Sequence, residues 1–162
     1  MTSKFTYMNP IWTRQVAVSM RQDDVREIGS SMFVNDRDDL TEKVVLAAHI
    51  CCDMMWTGWC RGEPVWIGGA VPKRPGVWEL VSFATDDFHH IRFGVTRLVT
   101  RVIIPAVFRG GAHRVYATTV NWRRGGKRWL EVLGLEYEGT QKGSLADGSD
   151  LLMYTKTGEI QP

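Results

Sequence analysis

The residues of this 162-residue chain best placed to move protons or hold anions fall between residues 77 and 97. Glu79 stands in a run that is otherwise apolar (Val77, Trp78, Leu80, Val81, Phe83, Ala84). A carboxylate short of water is suited to accept a proton, so Glu79 is the first candidate general base. The alternative is a solvent-facing glutamate just beyond the Pro75-Gly76 turn. His89 and His90 follow Asp86 and Asp87. The imidazoles could bind phosphate or relay protons, or the four residues could simply be a capped helix start, and a two-His, two-Asp metal set is a further possibility. Cys51, Cys52 and Cys60 lack zinc-ligand spacing and cannot all pair with one another. They read as packed thiols, which suits a reducing compartment.

Residues 12–20 alternate well enough to predict a first strand. Residues 21–32 predict a helix with Asp23 and Asp24 in its first turn, and residues 38–52 a second helix capped from Asn35-Asp36. Strands follow at 54–60 and 65–71, joined by a turn in which Gly62 supplies a positive φ. A third strand at 77–85 is apolar enough for a central position. A long helix over 88–108 is predicted next, kinked by Pro105 and ended by Gly110-Gly111. A strand at 114–120, a short helix at 126–133 and two closing strands at 135–140 and 151–156 complete the chain. The order is β-α-α-β-β-β-α-β-α-β-β. It describes a single α/β domain, residues 1–162, with a mixed, mostly antiparallel sheet and one parallel crossover.

Both this order and local sequence resemble the GNAT (GCN5-related N-acetyltransferase) superfamily. NWRRGGKRWLEVLGLEYEG at 121–139 is similar to the family passage in which a strand ends in Asn, a short helix carries a W/Y-L/E-x-L-G-F pattern, and E-G follows. DGSDLLMY at 147–154 resembles the final hairpin of the ribosomal-protein N-acetyltransferase branch, and RGEPVWIGG at 61–69 resembles an early family turn. The fold implied is the acyl-CoA N-acyltransferase fold. It carries an expectation that the strands ending near Thr85 and Val120 part to admit acetyl-CoA as co-substrate, with helix N–H groups meeting the pyrophosphate. On this resemblance Phe83, Ala84, Thr85, Arg92, Phe93, Gly94, Val95, Thr96 and Asn121 are the cofactor-binding candidates and Glu79 the catalytic one. The phosphate signature R/Q-x-x-G-x-G/A keeps only Gly94; Ile91 and Thr96 replace its first and last positions, and Arg92 and Arg97 are available to supply charge. Gly94 is otherwise a tolerated helix glycine and the arginines a solvated face. The family's acid tyrosine falls at Leu130, which leaves Tyr116 or Tyr137 as replacement hydroxyls. Asn121 could equally be a helix cap.

The activity implied is acetyl transfer from acetyl-CoA to an amine: a protein N-terminus, a lysine or a small amine. The acceptor would enter between the first two helices and the final hairpin. A second reading is a non-catalytic GNAT-like protein, virion-associated or host-interacting. PGVWEL at 75–80, followed by TDD, resembles GNAT-like proteins of tailed phages. The eroded signature, Leu130 and Pro105 all suit that reading. A net charge of +2 without a basic stripe argues against nucleic acid. Residues 1–10 lack a signal-peptide pattern and no apolar run reaches a membrane span, so a cytoplasmic location is expected, with the virion as the alternative and a homodimer or virion assembly as possible states. The seven Trp belong to a core or to an aromatic groove, Trp56, Trp59 and Trp66 being the groove candidates.

Overall fold

The computed structural model describes residues 4–50 and 54–158. The Cys51-Cys52 reading lies outside the described residues. Seven strands form one sheet in the order β1-β2-β3-β4-β5-β7-β6. The strands are β1 (Lys4–Tyr7), β2 (Met55–Cys60), β3 (Glu63–Arg74), β4 (Val77–Ala84), β5 (Arg114–Val120), β6 (Glu136–Gln141) and β7 (Leu151–Thr157). Every neighbouring pair is antiparallel except β4 with β5. This is the expected mixed α/β layout, and the parallel step falls where the sequence puts it.

Helices α1 (Pro10–Val18), α2 (Gln22–Ser30) and α3 (Arg37–Ile50) are followed by α4 (Arg92–Leu98), α5 (Ile104–Arg109) and α6 (Arg124–Val132). Strand alternation sends successive side chains to opposite faces, and two cores result. Ile67, Val71 and Phe83 meet Val16, Ala17, Leu40 and Val44 of α1 and α3 on one face. Trp66, Ala70, Ala84, Val115 and Ala117 meet Val95, Leu98, Ile103, Val107 and Leu130 of α4, α5 and α6 on the other. Trp66 is therefore core. Trp56 stacks on Tyr7 and Trp59 meets Trp12 edge-on, both on the β1–β2 side of the sheet. These three tryptophans pack among β1, β2, β3 and α1, and the core alternative accounts for Trp66.

Two local expectations are corrected and a third is borne out. Residues 12–20 are not a strand: residues 12–18 lie in α1, whose preceding Asn9 side chain accepts from the Ile11 N–H and whose Pro10 opens the first turn. Thr13, Val16 and Ala17 are its buried residues, at helical spacing, with Met20 buried just beyond its end, and that periodicity wins over the local alternation of Val16, Val18 and Met20. The first strand is instead the short β1. The long helix does not start at 88 under an aspartate cap. A 3₁₀ turn, Asp86–His90, comes first, and neither it nor α4 has a side-chain cap. Pro105 does interrupt the helix: the turn before it, Val99–Ile103, is π-helical, and α5 resumes with Pro105 in its first turn. A widened turn is a way to absorb the amide hydrogen that proline lacks.

Candidate active site: the opening between β4 and β5

The parallel ladder between β4 and β5 has only three register pairs, Val77↔Arg114, Trp78↔Val115 and Glu79↔Tyr116. It is anchored by Gly76, whose C=O accepts from the N–H groups of His113 and Arg114 at 2.9 and 3.1 Å. Beyond Glu79 and Tyr116 the strands separate, while β4 stays paired to β3 as far as Ala84 and β5 to β7 as far as Val120. The expected opening is present.

Its backbone lining follows from strand alternation. Ala84 N–H and Val120 N–H both point into the gap, since each meets a side chain there and not a strand. Two residues back, Ser82 and Thr118 present their N–H and C=O groups to the same gap. Thr85 points the other way, its N–H donating to Val65 C=O at 3.0 Å. The Thr85 hydroxyl is buried without a hydrogen-bond partner, an uncommon state that suits a polar ligand at the end of β4.

Glu79 lies at the vertex where the strands begin to part, its side chain 18% exposed. It is not stranded in apolar surroundings, because Lys73 Nζ sits 2.9 Å from its Oε2. Tyr116 is its cross-strand neighbour. Burial, and then the Glu79 charge, push the Tyr116 hydroxyl above the ordinary tyrosine range, so it holds its proton. A carboxylate and a protonated phenol thus stand side by side at the vertex, which is what a proton-accepting and a proton-donating role require.

The other expected residues divide into backbone and side-chain cases. Phe83 and Ala84 bury their side chains in the two cores, so only their backbone could reach a ligand. The first intrahelical bond of α4 runs from Val95 N–H to Ile91 C=O at 3.0 Å, which leaves the preceding amides of Arg92, Phe93 and Gly94 without a helical acceptor. Val95 itself is core and Ile91 is buried beneath the turn. Arg92 lies over the exposed Phe93 ring. The Thr96 hydroxyl donates to Arg92 C=O and accepts from Trp129 Nε1 at 3.0 Å, tying α4 to α6. Asn121 is exposed just past the end of β5, and it is not the N-cap of α6: Arg123 holds that position, without a side-chain capping bond. Leu130 is buried in the core. Tyr137 lies on the edge strand β6, bonded to Thr140, two strands from β5. The two histidines stack on each other; His89 Nδ1 is 2.8 Å from Asp86 C=O, and among the described residues no group of three or more metal-ligating side chains assembles.

The residues that sequence reading missed are on α2. Asp24 is 1% exposed; its Oδ2 accepts from Ala84 N–H at 2.8 Å and from Arg21 Nε at 2.8 Å. Glu27 Oε1 accepts from Val120 N–H at 3.2 Å. Arg123 donates one guanidinium nitrogen to Asp24 and the other to Glu27. Burial works against the Arg123 charge, but the two carboxylates outweigh it and raise its affinity for the proton further. The Ala84 C=O is taken too, by Arg21 N–H at 2.9 Å. The opening is a window, closed at one end by the three-residue ladder and at the other by this bridge.

No family model matches the chain, and no curated protein sequence matches it. Solved structures do. YncA of Salmonella typhimurium, with its cofactor acetyl-CoA, superposes with a TM-score of 0.72 at 12% identity, over 100% of this chain and 98% of the other. RimL, a ribosomal L7/L12 alpha-N-protein acetyltransferase in complex with coenzyme A, gives 0.71 at 12% identity, over 99% and 97%. A GNAT-family acetyltransferase from Bacillus anthracis gives 0.70 at 12% identity, over 97% and 95%. The chain has the fold of the GNAT acetyltransferases along essentially its whole length.

Proposed function

We propose that the protein is an acyl-CoA-dependent N-acetyltransferase that moves an acetyl group from acetyl-CoA to an amine. The observation that carries this reading is the parting of β4 from β5 just past Glu79 and Tyr116, with unpaired helix amides where the chain leaves β4. Ser82 and Thr118 would pair with the amides of the pantetheine arm, as strands pair with one another. The N–H groups of Arg92, Phe93 and Gly94 would meet the pyrophosphate, with Arg92 and Arg97 adding charge and the Thr85 hydroxyl a further donor. Relatives of the same fold hold coenzyme A or acetyl-CoA, which supports the cofactor class.

The thioester end falls at the vertex. A neutral amine attacks the thioester carbonyl carbon, and Glu79 takes the proton that the nitrogen sheds as the C–N bond forms. The C–S bond then breaks, and Tyr116 donates its proton to the departing thiolate. Lys73, beside Glu79, keeps the carboxylate oriented before attack. The acceptor reaches the vertex from the α2–α3 side. On that side α2 meets the β6–β7 loop through Ala146 N–H and Ser30 C=O at 2.9 Å.

Release of coenzyme A thiol from acetyl-CoA in the presence of peptides with free N-termini, lysine peptides and small amines tests the activity. Glu79→Gln is expected to lower turnover by about 10²-fold while leaving acetyl-CoA affinity unchanged. Equal turnover in the variant removes Glu79 as base. A second reading, a GNAT-like domain that does not catalyse transfer, is favoured by one observation: the Asp24–Arg123–Glu27 bridge uses Ala84 and Val120 amides that would otherwise serve a ligand. Absence of thiol release with every acceptor class would put that reading first.

A further inference from the structure

The bridge at the mouth of the window occupies ground that a bound arm would need. Ala84 N–H and C=O and Val120 N–H are the strand groups nearest the turn that leads into α4, and all three are held by α2. Among the described residues the bridge is the hydrogen-bonded link between the two strand ends on the α2 face, while the core under α4, α5 and α6 joins the strands on the other face. Without the bridge, the direct backbone pairing of β4 with β5 is Val77–Glu79. The charges are balanced within the cluster: Asp24 and Glu27 face Arg21 and Arg123. Neighbouring rings define its margins, with Arg21 over Phe88 and Arg26 over Trp122.

We infer that the Asp24–Arg123–Glu27 bridge is a latch that acyl-CoA must displace, so that α2 decides when the slot between β4 and β5 is open. This rests on the acyl-CoA reading above. An arm running from the vertex to the start of α4 replaces the two carboxylates at Ala84 and Val120 with its own amide groups. Arg123, freed from Asp24 and Glu27, then faces the anionic end of the incoming molecule. The exchange conserves hydrogen bonds on the strand ends, so its cost is the separation of a buried guanidinium from two carboxylates. That cost is charged against affinity. Glu27 is the partner to change first, since it is the less buried carboxylate and glutamine keeps an oxygen for the Val120 N–H.

The test is calorimetric titration of acetyl-CoA into wild-type protein and Glu27→Gln, together with NMR of the labelled wild type during the same titration. The latch predicts that Glu27→Gln binds about tenfold more tightly, equivalent to about 1.4 kcal/mol. It also predicts that the Ala84 and Val120 amide signals and the Arg123 side-chain signal of the wild type move at saturation. Binding by the wild type with those three signals unmoved overturns the latch and leaves the acyl-CoA reading intact. Equal affinity in a folded Glu27→Gln overturns it in the same way. If neither protein binds, the acyl-CoA reading fails and the bridge is a permanent closure. Should Glu27→Gln unfold, the wild-type signals decide alone.

Discussion

At the scale of single residues, the chemistry concentrates at one cross-strand pair. Glu79 and Tyr116 face each other where the ladder ends, and Lys73 completes the charge arrangement. Burial and the Glu79 charge raise the Tyr116 ionisation above the ordinary value near 10. The folded state therefore holds that proton more tightly than the unfolded chain does. The contribution to stability is full below the ordinary tyrosine value and is lost as pH rises through the folded one. Burial raises Tyr154 as well, so alkaline absorbance titration should show two tyrosines ionising later than the rest, and Tyr116→Phe should remove the Tyr116 component of that late phase. Glu79→Gln should move it to lower pH. A titration in which all tyrosines ionise together at the ordinary value would contradict the pairing. Glu79 was legible from sequence because it interrupts an apolar strand. Tyr116 was not separable from Tyr137 until the sheet order put one beside Glu79 and the other two strands away.

At the scale of elements, the site depends on how short the β4–β5 ladder is and on what fixes its start. Gly76 has φ +72°, and a Cβ there would stand 2.3 Å from His113 Nδ1. Its C=O also receives both His113 and Arg114. Gly76→Ala combines left-handed strain with that clash and should cost about 1–3 kcal/mol in chemical denaturation. An unchanged midpoint would show that the turn does not set the ladder. The β-hairpin at Arg61-Gly62, the β4 and β5 strands, and α6 ending at Gly134 were readable because each depends on local turn chemistry or periodicity. Residues 12–20 were misread because three alternating apolar positions in nine residues mimic a strand, while the Asn9-Pro10 start that makes them a helix lies just upstream. The 3₁₀ turn ahead of α4 was hidden behind Asp86-Asp87, which resemble a cap but bond to no helix amide.

At the scale of the whole molecule, the sheet is two leaves, β1-β2-β3-β4 and β5-β7-β6, joined by a three-residue ladder, by the core they share under α4, α5 and α6, and by Arg123 reaching across to α2. Asp24 and Arg123 are 99 residues apart in sequence, so no local pattern announces their pairing; Asp24 reads from sequence only as a first-turn helix residue. Arg123→Ala leaves Asp24 buried with Arg21 alone and should lower stability by about 3 kcal/mol, measured by denaturant unfolding. A change below about 0.5 kcal/mol would mean the leaves do not rely on the bridge. The same two-leaf arrangement is what gives a thioester a place to lie. Thermal unfolding with and without a large excess of acetyl-CoA tests this most directly. A site of the kind described predicts a midpoint that climbs steadily with ligand concentration, by about 2.7 kcal/mol of added stability at one hundred times the dissociation constant. A midpoint that stays fixed at every concentration, with no heat on mixing, would contradict it.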